Sequence, residues 1–288
     1  MSHSGDPSVT RILDHIVHLS PPGGLQETVD AFRALGFTVS PGGTHADGLT
    51  ANALVILADG VYLELIHFTR PPPPDSKHPW AAKQPGWVDF AHLGNAGTPS
   101  IAVTINARAE AEGSGVHYAQ EIPGGRTRED GRVLKWLISG IEHAGGRGRL
   151  PFFCGDLTPR VWRVPLEPRS NTEHANTTIG VAHVKHLVTP EELSAYEKQL
   201  TSVLGVSPTE STSANVVWEL ERQPSRQTAS IRAPVIIASI PQDDEEGEYL
   251  RARGPGIYEV AFAVEDPEKE GVGRTPQGRV VWKGVGRS

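Results

Sequence analysis

The chain is poor in sulfur, with one cysteine and one methionine among 288 residues. The single Cys154 excludes an intramolecular disulfide and a cysteine-rich zinc site. No apolar run approaches the roughly 20 residues that a membrane helix needs. The polar N-terminus also lacks the apolar segment of a secretory signal. We therefore expect a cytoplasmic protein without a membrane partner.

Clusters of basic residues are missing as well. The formal charge is −7 and the isoelectric point is near 5.9. Nucleic-acid binding needs grouped lysines and arginines against phosphates, so we expect no nucleic-acid partner. The sequence has no phosphate loop, dinucleotide glycine fingerprint or nucleophile elbow. It therefore predicts no nucleotide cofactor and leaves a small molecule as the expected partner.

Glycine and proline, in contrast, are frequent, with 31 and 24 residues. They separate short segments with clear periodicity. Residues 11–19 are β-branched and apolar and predict a strand, and residues 25–35 have a helical period that ends at Gly36. Strand-like runs follow at 52–58 and 61–68. The order predicts one βαβββ unit.

A similar beginning recurs in the second half of the chain. Residues 181–189 predict a strand, and Thr189, Pro190 and Glu192 predict the start of a helix. Both beginnings contain His-x-x-His-Leu, then a helix, then Leu-Gly.

A second repeat relates 125–136 (GRTREDGRVLKW) to 273–282 (GRTPQGRVVW). Repeats of this kind predict four units in two pairs. The first pair fills 10–165 and the second fills 179–288, with a truncated last unit. The polar segment 167–178 is the predicted linker.

The first half resembles the glyoxalase-like families of the vicinal-oxygen-chelate superfamily. The resemblance rests on the opening strand LDHIV, the segment 42–66, GWVDFAH at 86–92, the run 125–136 and LPFF at 150–153. It implies an α+β fold in which repeated βαβββ modules form curved, cup-like mixed sheets with helices outside. It also implies that metal ligands come from the first and last strands of a unit.

His15 and Glu64 are the main candidate metal ligands. Each lies on an otherwise apolar strand face, where an ionised carboxylate needs a partner. An imidazole and a carboxylate suit Zn, Ni, Mn or Fe, and the superfamily pattern places ligands at these positions. The alternative is a buried pair bonded to each other or to the backbone.

Further ligands are harder to find. Asp89 falls in the second unit where His15 stands in the first, and is the candidate third ligand, with a strand-end hydrogen bond as its alternative role. The last strand of that unit offers Cys154 or Asp156 and no glutamate. The second half offers His183 and Glu259 as its candidates.

Three residues are candidates for binding the substrate. His45 and Asn52 lie in the segment that resembles the family, although Asn52 could equally satisfy a turn. Arg126 could hold a carboxylate in a bidentate manner, although an exposed hairpin arginine is commoner. The proline-rich loop 71–80 is either a stiff spacer or a flap over the pocket.

These features favour three functions. The first is a metal-dependent lyase or isomerase that acts on a small oxygenated organic substrate, with Glu64 moving the proton. The second is a non-haem iron ring-cleaving dioxygenase, which requires a second histidine. The third is a metal-free small-molecule binding protein, or a metal-free enzyme of secondary metabolism. The chain could also form a homodimer.

Overall fold

The structure is a computed structural model, which describes residues 9–128, 130–143, 145–223 and 231–285. Residues 13–156 supply the first sheet. Its strands are β1 (Leu13–Leu19), β2 (Ser40–Thr44), β3 (Thr50–Ile56), β4 (Tyr62–Phe68), β5 (Gly86–Leu93), β6 (Ile122–Thr127), β7 (Val133–Ser139) and β8 (Phe152–Asp156).

The first sheet consists of two βαβββ units placed side by side. Its strand order is β2-β3-β4-β1-β5-β8-β7-β6. Helix α1 (Leu25–Ala34) follows β1, and helix α2 (Ile101–Glu112) follows β5. In each unit the first and last strands are parallel neighbours, β1 with β4 and β5 with β8. The predicted α+β fold with curved sheets and outer helices is confirmed.

Residues 178–284 supply the second sheet, in the order β10-β11-β12-β9-β13-β15-β14. Its strands are β9 (Thr178–Leu187), β10 (Glu210–Ser211), β11 (Asn215–Glu219), β12 (Val235–Ser239), β13 (Gly256–Val264), β14 (Gly271–Thr275) and β15 (Gly278–Gly284). The helices that follow the first sheet in the chain are α3 (Arg160–Arg163), α4 (Leu193–Leu204) and α5 (Asp244–Arg253). Short 3₁₀ turns lie at Arg169–Asn171 and Pro267–Lys269.

The two sequence repeats have different outcomes in the structure. The first is a structural equivalence, because β1–α1 and β9–α4 occupy the same place in their sheets. The second repeat is displaced by one strand. In the first sheet the Gly-Arg-Thr motif lies on the hairpin β6–β7. In the second sheet it lies on the hairpin β14–β15, which pairs with β13 and so takes the place that β7–β8 has beside β5. The second repeat is therefore a shared hairpin motif at non-equivalent positions.

Helix α4 begins later than the Thr189 and Pro190 pattern predicts. Its first residue is Leu193. The Glu192 side chain accepts a hydrogen bond from the Thr189 amide and pairs with Arg149 at 2.8 Å. These contacts fix residues 190–192 as a turn ahead of the helix.

One continuous apolar core joins the two sheets through α1, α2 and α4. Phe32, Phe90, Phe262 and Trp218 are fully buried in it. Burying each such side chain contributes roughly 2–3 kcal/mol. The Trp87 indole also donates to the Arg279 carbonyl across the two halves, at 3.0 Å. Within the described ranges, no helix is long and apolar enough to cross a membrane.

Candidate functional site

The concave face of the first sheet encloses a cavity of about 740 Å³. Most of its wall is apolar or aromatic, with Trp80, Trp136, Phe152 and Tyr62 among the lining residues. Loop residues His78 and Trp80 also line it, as expected if the proline-rich segment is a flap. We call this space the cup.

His15 extends from β1 into the cup and is only 3% exposed. Its Nδ1 lies 2.8 Å from Asp14 Oδ2, and its ring stacks on Tyr62 with 4.7 Å between centroids. An ionised carboxylate can only accept, so we assign the Nδ1 proton to this hydrogen bond. The Nε2 atom then faces Glu64, with 3.7 Å to Oε2.

Glu64 lies on β4, the parallel neighbour of β1, so the predicted pair does come together. Its Oε1 accepts a hydrogen bond from Asn52 Nδ2 at 2.6 Å. The same oxygen lies 3.6 Å from His45 Nε2. The carboxylate is therefore flanked by two imidazoles and one amide. Asn52, predicted to bind substrate, is turned towards Glu64.

His45 reaches Glu64 because the two edges of the first sheet meet. His45 forms an isolated antiparallel bridge with Arg126, and the Ala46 amide donates to the Gly125 carbonyl at 2.9 Å. This contact nearly closes the sheet into a barrel. We call it the seam. The His45 ring is held by Thr50, whose Oγ1 lies 2.7 Å from Nδ1.

Both strands at the seam contain Pro-Gly-Gly, at 41–43 in β2 and 123–125 in β6. Glycine is required here by close packing. A Cβ on Gly42 would collide with Asn52, and one on Gly124 would collide with the Trp136 indole. This match between the two units was present in the sequence and could have indicated that the edges meet.

Asp14 orients His15 from behind the cup. It is fully buried, 2.5 Å from Arg160 Nη1 and 2.9 Å from Arg163 Nη1. Burial alone would raise the pKa of Asp14, but the two guanidinium groups outweigh it and hold that pKa well below its usual value. Arg163 also donates to the Tyr62 hydroxyl at 2.8 Å. The sequence analysis missed all of these partners, although the adjacent Asp14-His15 pair was a signal.

Asp89 is held by hydrogen bonds, which was the alternative to its role as a metal ligand. Its carboxylate accepts from Trp80 Nε1 and Arg147 Nε, both at 2.8 Å, and from the Phe90 and Gly148 amides. The described residues contain no group of three or more His, Cys, Asp or Glu side chains that could hold a metal as they stand. The structure therefore does not bring Asp89 to His15 and Glu64, and Asp89 fixes two side chains of the cup wall.

The second-half candidates meet each other. His183 Nε2 lies 2.7 Å from Glu259 Oε1, and Arg279 Nε donates to the other oxygen at 2.6 Å. Burial would raise the pKa of Glu259, but these two hydrogen bonds lower it to about 2. Helix α5 packs against β13 and adds Glu246, which pairs with Lys185. The polar groups of this face are thus paired with one another.

Comparisons with known proteins agree with this architecture. The sequence profile of the glyoxalase-like domain family matches residues 13–204, more than half of the chain. No curated protein sequence matches.

Three solved structures cover most of this chain. A hypothetical protein from Staphylococcus aureus has a TM-score of 0.67 at 12% identity, covering 95% of this chain and 99% of that one. A mutant of 4-hydroxymandelate synthase from Streptomyces coelicolor has a TM-score of 0.52 at 11% identity, with coverages of 92% and 77%. The Mn(II)-bound glyoxalase from Novosphingobium aromaticivorans has a TM-score of 0.47 at 15% identity, with coverages of 96% and 82%.

At these identities the likeness to solved structures concerns the fold, whereas the profile match concerns the sequence itself. The chain belongs to the glyoxalase-like domain family of the vicinal-oxygen-chelate superfamily.

Proposed function

We propose that the chain is a metal-dependent lyase or isomerase that acts on a small oxygenated organic molecule in the cup. The observation that carries this proposal is the position of Glu64, with an imidazole nitrogen 3.6–3.7 Å from each of its oxygens inside a largely apolar cavity. A carboxylate in such surroundings is a suitable proton acceptor.

The residues around Glu64 are of the types that bind a divalent metal, although their present spacing is wider than that of a closed metal site. His15, His45 and Glu64 offer two imidazole nitrogens and a carboxylate, a donor set that suits Zn, Ni, Mn or Fe. In the neutral imidazole whose Nδ1–H donates to Asp14, Nε2 has a lone pair that faces the carboxylate. A cation between them would relieve this repulsion. Asp14 then supports the ring as carboxylates commonly support metal-binding histidines.

When bound, the metal would polarise the oxygens of the substrate and make an adjacent C–H group more acidic. Glu64 would then accept the proton, and Asn52 would hold the carboxylate in place through its 2.6 Å bond. The Tyr62 hydroxyl accepts from Arg163, so its own proton is free for a substrate oxygen. The aromatic wall would exclude water from this exchange.

Metal content by plasma mass spectrometry tests the proposal, on protein purified gently and after incubation with each of the four cations. We expect near-stoichiometric metal in the wild type and its loss in His15→Ala and Glu64→Gln. His183→Ala, at the equivalent position of the second half, is the matched control and should retain the metal. A wild type that takes up none of the four would overturn the proposal.

Two specific observations favour the other functions. The position of His45 supplies the second histidine that a ring-cleaving dioxygenase needs, beside His15 and Glu64. An anaerobic titration with Fe²⁺ and a catechol, followed by oxygen, would favour this reaction if the ring opens. The engagement of Asp89 by the cup wall leaves the second unit without a ligand there, which favours a metal-free binding protein. That function is the one to keep if no cation binds.

A further inference from the structure

The arginines that line the cup differ in whether a carboxylate pairs with them. Arg147 pairs with Asp89 at 2.8 Å, and Arg163 pairs with Asp14 and Asp156. Arg126 lines the same cavity and is only 5% exposed. Among the residues that the structure describes, its guanidinium makes one hydrogen bond, to the Gly42 carbonyl, and no ion pair.

An unpaired guanidinium in this position is energetically unfavourable. Removing a cation from water costs several kcal/mol unless a counter-ion or a full set of acceptors replaces the water. Burial lowers the pKa of Arg126, although the nearby Tyr62 and Glu64 act in the opposite direction without an ion pair to its guanidinium. A guanidinium has five N–H donors, so most of those of Arg126 remain available.

The position of Arg126 shows where a partner would lie. It is directly opposite His45 at the seam, and His45 contacts Glu64. An anion bound to Arg126 would therefore lie inside the cup, at the edge of the candidate site. The space beyond is bounded by Trp136 and Phe152, whose apolar rings suit a flat apolar group.

The geometry points to a small organic acid as the ligand of the cup, with its carboxylate held by Arg126 and a flat apolar body against Trp136 and Phe152. Arginine binds carboxylates through two parallel N–H···O bonds, which neither a neutral polar group nor a single acceptor reproduces. The inference names the substrate class for the proposed function, but the binding itself needs no metal.

A binding titration on the metal-free full-length chain, in the presence of a chelator, tests the inference. The probes are phenylacetate and its neutral analogue phenylacetamide. Binding is followed by calorimetry and by tryptophan fluorescence, to which Trp80 and Trp136 in the cup contribute. We expect the acid to bind about 10- to 100-fold more tightly than the amide, the range for a hydrogen-bonded charge. In Arg126→Gln this preference should disappear.

Arg132→Gln is the matched control, since Arg132 lies in the same β6–β7 hairpin, is exposed and already has Asp130 beside it. It should keep the preference for the acid, and circular dichroism should show that both variants are folded. Equal binding of acid and amide, no binding of either, or an unchanged preference in Arg126→Gln would each overturn the inference. An acid preference without any metal uptake would overturn the proposed function alone, and metal uptake without an acid preference would overturn the inference alone.

Discussion

The two halves of the molecule place a histidine and a glutamate on the same kind of curved sheet and treat them differently. In the first half His15 and Glu64 lie 3.7 Å apart and face a cavity. In the second half His183 and Glu259 are in direct contact at 2.7 Å, and Arg279 completes the pair. The same residue types thus stand apart at the wall of a cavity in one half and form a closed ion pair in the other.

The two glutamates lie on different strands, since Glu64 is on β4, parallel to β1, and Glu259 is on β13, antiparallel to β9. Two further features accompany this difference. Behind His15, Asp14 accepts a hydrogen bond from Nδ1 and directs Nε2 at Glu64, whereas Ala182 stands at the corresponding place before His183. Above the second sheet, α5 brings Glu245 and Glu246 to Arg279 and Lys185. Availability for chemistry therefore depends on what surrounds the pair rather than on the pair itself.

The largest effect on stability is expected from removing Asp14, the carboxylate that supports His15 and has no counterpart in the second half. Asp14→Ala would leave Arg160 and Arg163 without their shared buried carboxylate and should lower the free energy of unfolding by about 3–5 kcal/mol. Chemical denaturation measures this. Asp30→Ala, on the exposed face of α1, is the control and should change little. A loss below about 1 kcal/mol for Asp14→Ala would show that the ion pairs are not coupled to folding.

A smaller effect on stability is expected from the pH titration of Glu259, in the His183–Glu259 pair of the second half. The pKa of Glu259 is about 2, below its ordinary value of 4.5, so the unfolded state takes up the proton first on acidification. The stability that Glu259 contributes is then complete above about pH 4.5 and is lost as the pH falls towards 2. It amounts to at most about 3 kcal/mol, from 1.36 kcal/mol per pKa unit, and solvent screening at the partly open edge of the pair reduces it.

Unfolding free energies from pH 7 to 2 test this for the wild type and Glu259→Gln. The two curves should differ near neutral pH and converge at the acidic end. Glu248→Gln, exposed on α5, should follow the wild type throughout. Curves that stay parallel across the whole range would contradict a titrating role for Glu259.

The smallest effect concerns the sheet edges. Gly42→Ala would push a methyl group into Asn52 at the seam and should lower stability by about 1–3 kcal/mol, the usual effect of overpacking. Gly271→Ala, on the edge strand β14 of the second sheet, meets no atom within 4 Å and should be close to neutral. Thermal unfolding compares the stabilities of the two variants. Equal melting temperatures would show that the seam accommodates a methyl group without loss of stability.

Much of the fold follows from local patterns in the sequence. Strand and helix periods, with glycine and proline between them, predict the elements of the first unit. The pairing of β1 with β4, which brings His15 to Glu64, was implied by the family resemblance and not by the periods. The place of His45 beside Glu64 depends on the meeting of β2 and β6, which are far apart in the chain. Helix α5 was missed because its strongly charged sequence, DEEGEYLRAR, has no apolar face. Contacts between strands far apart in the chain, and helices without an apolar face, are not visible in the hydrophobic periodicity of the sequence.

Strand β1 has no free surface, since all seven of its residues are buried. His15 extends into the cup, while His18 lies on the opposite side against Phe32 and Trp87, with its pKa lowered to about 3 by burial. Each side chain of the strand therefore packs either into the cup or into the apolar core, and none can vary freely. In a saturation mutagenesis experiment, β1 should be among the least substitutable segments of the chain, and new specificities should arise more readily at the cup walls than on this strand.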